Sequence, residues 1–270
     1  MDLQLTGKRA LVTGSSIGIG EAIARRLAAE GAHVVLHGRN TERLEKIAGS
    51  VRAGGGHVAI VTGDLGSDEG ATRIAAASME PFGGIDILVN NAGGRAPEAP
   101  NGWFDIALDV WGDTFNQNVL STVRMIKALS APMRERGWGR IVNIGSMAGQ
   151  STSGTVAEYA AAKSAISNLT LGLAKVLAMS GVTANCVSPG MIRTPGLERM
   201  LLQLAKQQGL GSDVEAAGQW MLKNVLRQSV GRLGTPEDVA DTVAWLASPR
   251  SDFVTGTNIR VDGGSSQAMN

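Results

Sequence analysis

The chain has 270 residues, and its 25 basic and 24 acidic side chains leave a formal charge of +1. That balance excludes the strong positive field of a nucleic-acid or anionic-membrane binder and points to a small-molecule partner. With 43% hydrophobic residues, a single cysteine and no His/Cys cluster at metal-ligand spacing, the chain can bury a sizeable core but has neither a disulfide framework nor a zinc motif.

Asp2, Lys8 and Arg9 precede any sustained apolar run, so neither a signal peptide nor a membrane anchor is expected, and the expected setting is cytoplasmic. Short apolar runs then alternate with stretches of helical period. They predict strands at 9–13, 33–37, 57–62, 85–90, 140–145, 182–188 and 258–261, and helices at 18–30, 41–53, 67–81, 110–136, 157–180 and 236–247. Such alternation, with near-continuously apolar strands, predicts an α/β fold: a doubly wound parallel seven-stranded sheet with helices on both faces, in one domain over 1–270. Cys186 reads as a buried strand residue. The sequon at Asn168 carries no weight without a secretory route.

One stretch breaks the rhythm. Residues 197–227 carry Leu201, Leu204, Trp220, Met221 and Leu226 at helical spacing, between the sixth strand and the Pro236 helix. Apolar residues at that spacing pack a core, or they form a mobile lid over an apolar substrate near the carboxyl ends of the strands. The expected substrate-binding segment is 191–230.

Three constellations carry chemistry. The first strand runs into Gly14, Ser16, Ile17, Gly18, Ile19 and Gly20 and then a helix. Glycines let the backbone approach a pyrophosphate, and the helix N-terminus offers unpaired N–H groups and partial positive charge. The same residues satisfy G-x-S-x-G around Ser16, but a hydrolase needs a later histidine, and His33, His37 and His57 all come early. At the end of the second strand the acid that would bond an adenosine ribose is missing. Gly38 leaves space there and Arg39 offers a planar cation, which favours NADP(H) over NAD(H). In Tyr159-Ala160-Ala161-Ala162-Lys163, the sole tyrosine stands four residues before a lysine, on one helix face. A neighbouring ammonium stabilises a phenolate and so turns a poor proton shuttle into a usable acid/base.

With these pieces the chain resembles the short-chain dehydrogenase/reductase family, in its compact single-domain, 3-oxoacyl-reductase-like branch. The family's motifs occur in order: the glycine-rich turn, Asp64-Leu65, Asn90-Asn91-Ala92-Gly93, Asn118, Ser146, Tyr159 with Lys163, Ser188-Pro189-Gly190, and Val261-Asp262-Gly263-Gly264. The resemblance implies a Rossmann-type fold in which Asp64 would bond the adenine amino group and Leu65 would line its pocket. Asn91, Ala92 and Gly93 would border the cofactor. Pro189, Gly190, Ile192 and Thr194 would contact the nicotinamide carboxamide.

In the same reading Ser146 would hold the substrate oxygen, Tyr159 would exchange the proton and Lys163 would bond the nicotinamide ribose. Asn118 would organise a water linking Lys163 to solvent. Ketone reduction needs hydride at carbon and a proton at oxygen, and these side chains supply the second without a metal. The position before Gly18, often basic in NADP-using relatives, is Ile17, and the carrier-docking arginine positions hold Gly137 and Ser180. The expected substrate is a ketone, secondary alcohol or 3-oxoacyl group, with Arg95 and Arg193 candidates for a carboxylate or phosphate on it. Relatives commonly form homotetramers through the two long helices and the C-terminal strand. The rival from another class is a non-catalytic dinucleotide-sensing regulatory protein of the same fold. An intact Asn118, Ser146, Tyr159 and Lys163 set argues against it.

Overall fold

The computed structural model describes residues 1–96, 99, 102–150, 155–226 and 228–266; Arg227, the last residue of the expected 197–227 segment, lies outside them. The strands are β1 (Arg9–Val12), β2 (His33–Gly38), β3 (Val58–Thr62), β4 (Ile87–Asn90), β5 (Gly139–Ile144), β6 (Val182–Pro189) and β7 (Asn258–Val261). They form a single sheet in the order β3-β2-β1-β4-β5-β6-β7, and every pair is parallel. The order reverses between β1 and β4, where a crevice opens at the carboxyl ends of the strands.

Nine α-helices are seen among the described residues: α1 (Gly18–Ala29), α2 (Thr41–Ala53), α3 (Asp68–Met79), α4 (Leu108–Phe115), α5 (Ser121–Glu135), α6 (Ala157–Val176), α7 (Pro195–Gln207), α8 (Val214–Met221) and α9 (Pro236–Ala247). Side chains alternate across each strand, so Ala10 and Val12 of β1 face one way and Leu11 the other. Ala10, Val12, Val34 and Val89 pack with Ile23 and Leu27 of α1 and Val239 and Val243 of α9. Leu11, Val35, Leu88 and Ile141 pack on the other face with Ile74 of α3 and Met125, Leu129 and Met133 of α5. Full burial of each such side chain stabilises by roughly 1.5–3 kcal/mol, which makes this two-faced core the main source of stability.

Two predicted helices end or divide differently. The single helix expected over 110–136 is α4, a π-helical turn over Asn116–Leu120, and α5. The helix expected to reach residue 180 stops at Val176, because the chain must turn into β6 at Gly181. Between β6 and α9, the expected lid stretch forms α7 and α8, with a second π-helical turn at Leu222–Leu226. Its chain leaves and returns side by side: the Arg193 N–H donates to the Gly234 carbonyl at 2.7 Å, and the Gly234 N–H to the Met191 carbonyl at 3.0 Å. Leu197, Leu201, Ala205, Ala217 and Met221 form a cluster of their own, apart from the sheet's two apolar layers.

Gly181 has φ +74°, and a Cβ there would stand 2.0 Å from the Gly137 carbonyl oxygen. Its own carbonyl accepts from Nη1 of the buried Arg140 at 3.3 Å. Gly181→Ala is therefore expected to cost about 2 kcal/mol or more and to lower the melting midpoint by roughly 4 °C or more in a thermal scan. Dinucleotide affinity should be unchanged, since this turn lies at the opposite edge of the sheet from the crevice.

Candidate active site

The crevice begins where β1 turns into α1. The Thr13 hydroxyl accepts from the N–H groups of Asn91 and Ala92, each at 3.0 Å, and Asn91 Nδ2 donates back to the carbonyls of Thr13 at 2.9 Å and Gly14 at 3.0 Å. These bonds fasten the ends of β1 and β4 together at the switch point. Gly14 and Gly18 sit at φ +64° and +63°, where a side chain would be strained. A Cβ on Gly20 would stand 2.4 Å from both Asn91 Nδ2 and the Gly14 carbonyl, so the backbone there has to be bare. Ile17, at the N-cap of α1, makes no side-chain cap, which leaves the first-turn N–H groups available.

A cleft of about 540 Å³ is lined by the expected Gly14, Ser16, Ile17, Gly18, Ile19 and Gly20, by Arg39, Asp64 and Leu65, and by Asn91, Ala92, Gly93 and Thr194. One Asp64 carboxylate oxygen accepts from the Gly66 N–H at 2.9 Å. Arg39 is exposed at the rim, beyond Gly38. An uncapped helix N-terminus, a glycine turn too tight for side chains and an exposed arginine together fit a dinucleotide. Tyr159, Lys163, Pro189, Gly190 and Ile192 are not among the lining residues; Ile192 lines a neighbouring cavity of about 480 Å³ beside β7.

The residues expected to handle the proton gather at the same edge of the sheet, past the end of β5. Ser146 caps a short 3-10 turn over Met147–Gly149, its Oγ accepting from the Ala148 N–H at 3.2 Å. Tyr159 is in the first turn of α6 and Lys163 one turn on. The Lys163 ammonium lies 5.7 Å from the centre of the Tyr159 ring and donates to the Ile144 carbonyl at 2.9 Å. The two side chains therefore share a face, as their spacing predicts. Lys163 is buried and makes no ion pair among the described residues.

Asn118 lies in the π-helical turn between α4 and α5, a distortion that re-aims side chains and is frequent at functional sites. Its Nδ2 donates to the carbonyls of Gly94 at 2.7 Å and Thr114 at 2.9 Å, while Oδ1 accepts from the Gly94 N–H at 3.0 Å. One lone pair of Oδ1 is left to accept from a water.

The arginines considered for a substrate anion are committed elsewhere. Arg95 Nε donates to Glu158 at 2.6 Å, and Arg193 pairs with Glu215 at 2.7 Å and Glu198 at 3.6 Å. Glu158 and Glu215 are remote in sequence from the arginines they meet, and Glu198 lies across the turn into α7, so spacing gave no sign of these pairs. The cleft also has walls that motif reading missed: His37, Asp113, Asn116, Gln117 and Arg199. His37 Nδ1 faces the Gly14 N–H at a long 3.4 Å, and its Nε2 is buried without a partner among the described residues. Burial, only partly offset by the backbone of nearby Gly63, pushes the His37 imidazolium down to about 4.

Fold and site together define a dinucleotide-dependent oxidoreductase of the doubly wound α/β class. A family model described as enoyl-(acyl carrier protein) reductase matches residues 14–266. The chain is 36% identical over 255 residues to the short-chain reductase protein NovJ of Streptomyces niveus, covering 94% of this chain and 92% of that protein. It is 35% identical over 265 residues to dehydrogenase/reductase SDR family member 4 of Homo sapiens, covering 97% and 88%. The crystal structure of L-sorbose reductase from Gluconobacter frateurii, complexed with NADPH and L-sorbose, superposes with a TM-score of 0.93 at 32% identity, covering both chains completely. The chain belongs to the short-chain dehydrogenase/reductase family and is an NAD(P)-dependent dehydrogenase/reductase.

The depressed His37 value makes stability depend on acid. The unfolded chain takes up this proton near pH 6.5 and the folded chain only near 4, so protonation favours unfolding across that interval. His37 should cost about 3 kcal/mol of stability as pH falls from 7 to 4. Denaturant unfolding of wild type and His37→Gln at several pH values checks this: the variant is expected to lack that increment.

Proposed function

We propose that the protein is an NADP(H)-dependent oxidoreductase that interconverts a ketone, or a 3-oxoacyl group, and the corresponding secondary alcohol. The observation that carries this reading is the buried Lys163 ammonium, on one helix face with Tyr159 and anchored to the strand that leads into Ser146. A bound nicotinamide supplies the hydride. Ser146 Oγ donates to the substrate oxygen as negative charge develops there, and the Tyr159 hydroxyl delivers the proton. Lys163 stabilises the resulting phenolate and bonds the nicotinamide ribose. A water accepted by Asn118 returns the proton from solvent. In the oxidising direction the same groups act in reverse.

Arg39 at the rim, with Gly38 in place of an acid, supports the choice of NADP(H), as does the NADPH complex of the L-sorbose reductase. Gly14 to Gly20 with Asn91, Ala92 and Gly93 would hold the pyrophosphate side, Asp64 and Leu65 the adenine, and Pro189, Gly190, Ile192 and Thr194 the carboxamide. Residues 191–230 are the substrate-binding segment, for a small or medium carbonyl compound. The description of the matching family names an enoyl reductase, but a tyrosine and lysine four residues apart beside a serine suits a carbonyl oxygen, and enoyl reductases of this type space the pair more widely. Exposed Leu108, Leu120 and Leu171 on α4, the π-helical turn and α6 support assembly as a homotetramer through those helices.

A panel of ketones, sugars and acyl thioesters followed by NADPH absorbance tests the reaction class, and absence of turnover on all of them rejects it. Tyr159→Phe is expected to lower kcat by about a hundredfold or more while the Kd for NADPH stays within about threefold. Arg39→Ala should raise the KM for NADPH about tenfold and leave that for NADH nearly unchanged. Equal effects on the two would remove Arg39 as the phosphate ligand.

A further inference from the structure

The first turn of α6 carries Tyr159, yet its own cap holds it weakly. Val156, at the N-cap, makes no side-chain bond to the helix, and the ends of helices are where local opening begins. Glu158, next to Tyr159, is fully buried. Its Oε1 accepts from Arg95 Nε at 2.6 Å, and its Oε2 is buried with no partner among the described residues. A carboxylate buried with half of its oxygens unbonded is costly, and an apolar side chain of the same size would pack there without that cost.

Arg95 follows directly on Gly94, whose N–H and carbonyl are both held by the Asn118 side chain. A continuous line of polar contacts thus runs from Asn118 through Gly94 and Arg95 to Glu158, and ends one residue before Tyr159. We propose that the Arg95–Glu158 ion pair is a positioning device that clamps the first turn of α6 to the loop after β4, and so fixes the Tyr159 hydroxyl relative to the wall built by Asn118. The pair touches neither substrate nor cofactor; it acts through Tyr159. This rests on the reading of Tyr159 as the proton donor, and the experiment separates the two.

Removing one partner strands a buried charge, so the informative variant is the neutral double substitution Arg95→Met/Glu158→Gln, with Arg95→Lys as a milder second. Amide hydrogen exchange over residues 157–163 is read without substrate, and kcat and the Kd for NADPH are read with the best carbonyl compound of the panel. The double variant is expected to exchange roughly fivefold faster in that segment, with the central strands unaltered. Its kcat should fall by about tenfold or more while the Kd for NADPH changes by less than about twofold. Arg95→Lys, which keeps the cation and loses the fork, should fall between the two chains in both readouts. Unchanged exchange in both variants overturns the proposal whatever the activity, and so does a kcat within about twofold of wild type. Wild-type protein that turns over nothing in the panel counts against the reductase reading, and the exchange measurement still decides the clamp.

Discussion

The arrangement depends most on a buried cation. The Lys163 ammonium is removed from water with the Ile144 carbonyl at 2.9 Å and no carboxylate paired with it among the described residues. An ammonium so placed has two further donors for which burial makes partners valuable. The surroundings are built to hold that geometry. A Cβ on Gly149 would stand 2.7 Å from the Lys163 carbonyl carbon, and the Ser164 hydroxyl donates to the Gly149 carbonyl at 2.6 Å, so the turn after Ser146 lies flat on α6.

The cleft at the switch point and the helix that carries Tyr159 and Lys163 are coupled through the sheet. Thr13 and Asn91 join the ends of β1 and β4. One residue earlier, Asn90 Nδ2 donates to Asn143 Oδ1 at 2.9 Å, and Asn143 Nδ2 donates to Thr170 Oγ1 at 2.9 Å. This buried amide ladder crosses from β4 through β5 to α6, the helix that carries Tyr159 and Lys163. The bonded groups of this ladder hold their elements in register, because a slip would break several buried bonds at once, while Asn90 Oδ1 is buried with no partner among the described residues.

The insertion between β6 and α9 is built differently. Its apolar cluster is its own, and Arg193 pairs with Glu198 and Glu215 within it. Its chain ends meet at Met191–Arg193 and Gly234, and the returning chain is also held by the Gly263 carbonyl, which accepts from the Ser229 and Val230 N–H groups at 3.0 Å each. The insertion borders the glycine turn after β1: a Cβ on Gly18 would stand 3.3 Å from Thr194 Cγ2, and Thr194, Pro195, Gly196 and Arg199 line the same cleft.

The sequence by itself determined the strands, most of the helices and the glycine turn after β1. Apolar period 2 against period 3.6 is a local property, and the glycines at 14, 18 and 20 and the four-residue step from Tyr159 to Lys163 are local as well. Tertiary structure alone decided what depends on residues far apart in the chain. It broke the expected 110–136 helix at Asn116–Leu120, because Asn118 has to reach Gly94. It buried His37 in the cleft wall and gave Arg95 to Glu158, 63 residues on, in place of a substrate anion. No spacing rule forecasts such pairings: which charge meets which is set by how loops from different strands converge at one edge of the sheet, and burial then makes each pairing obligatory.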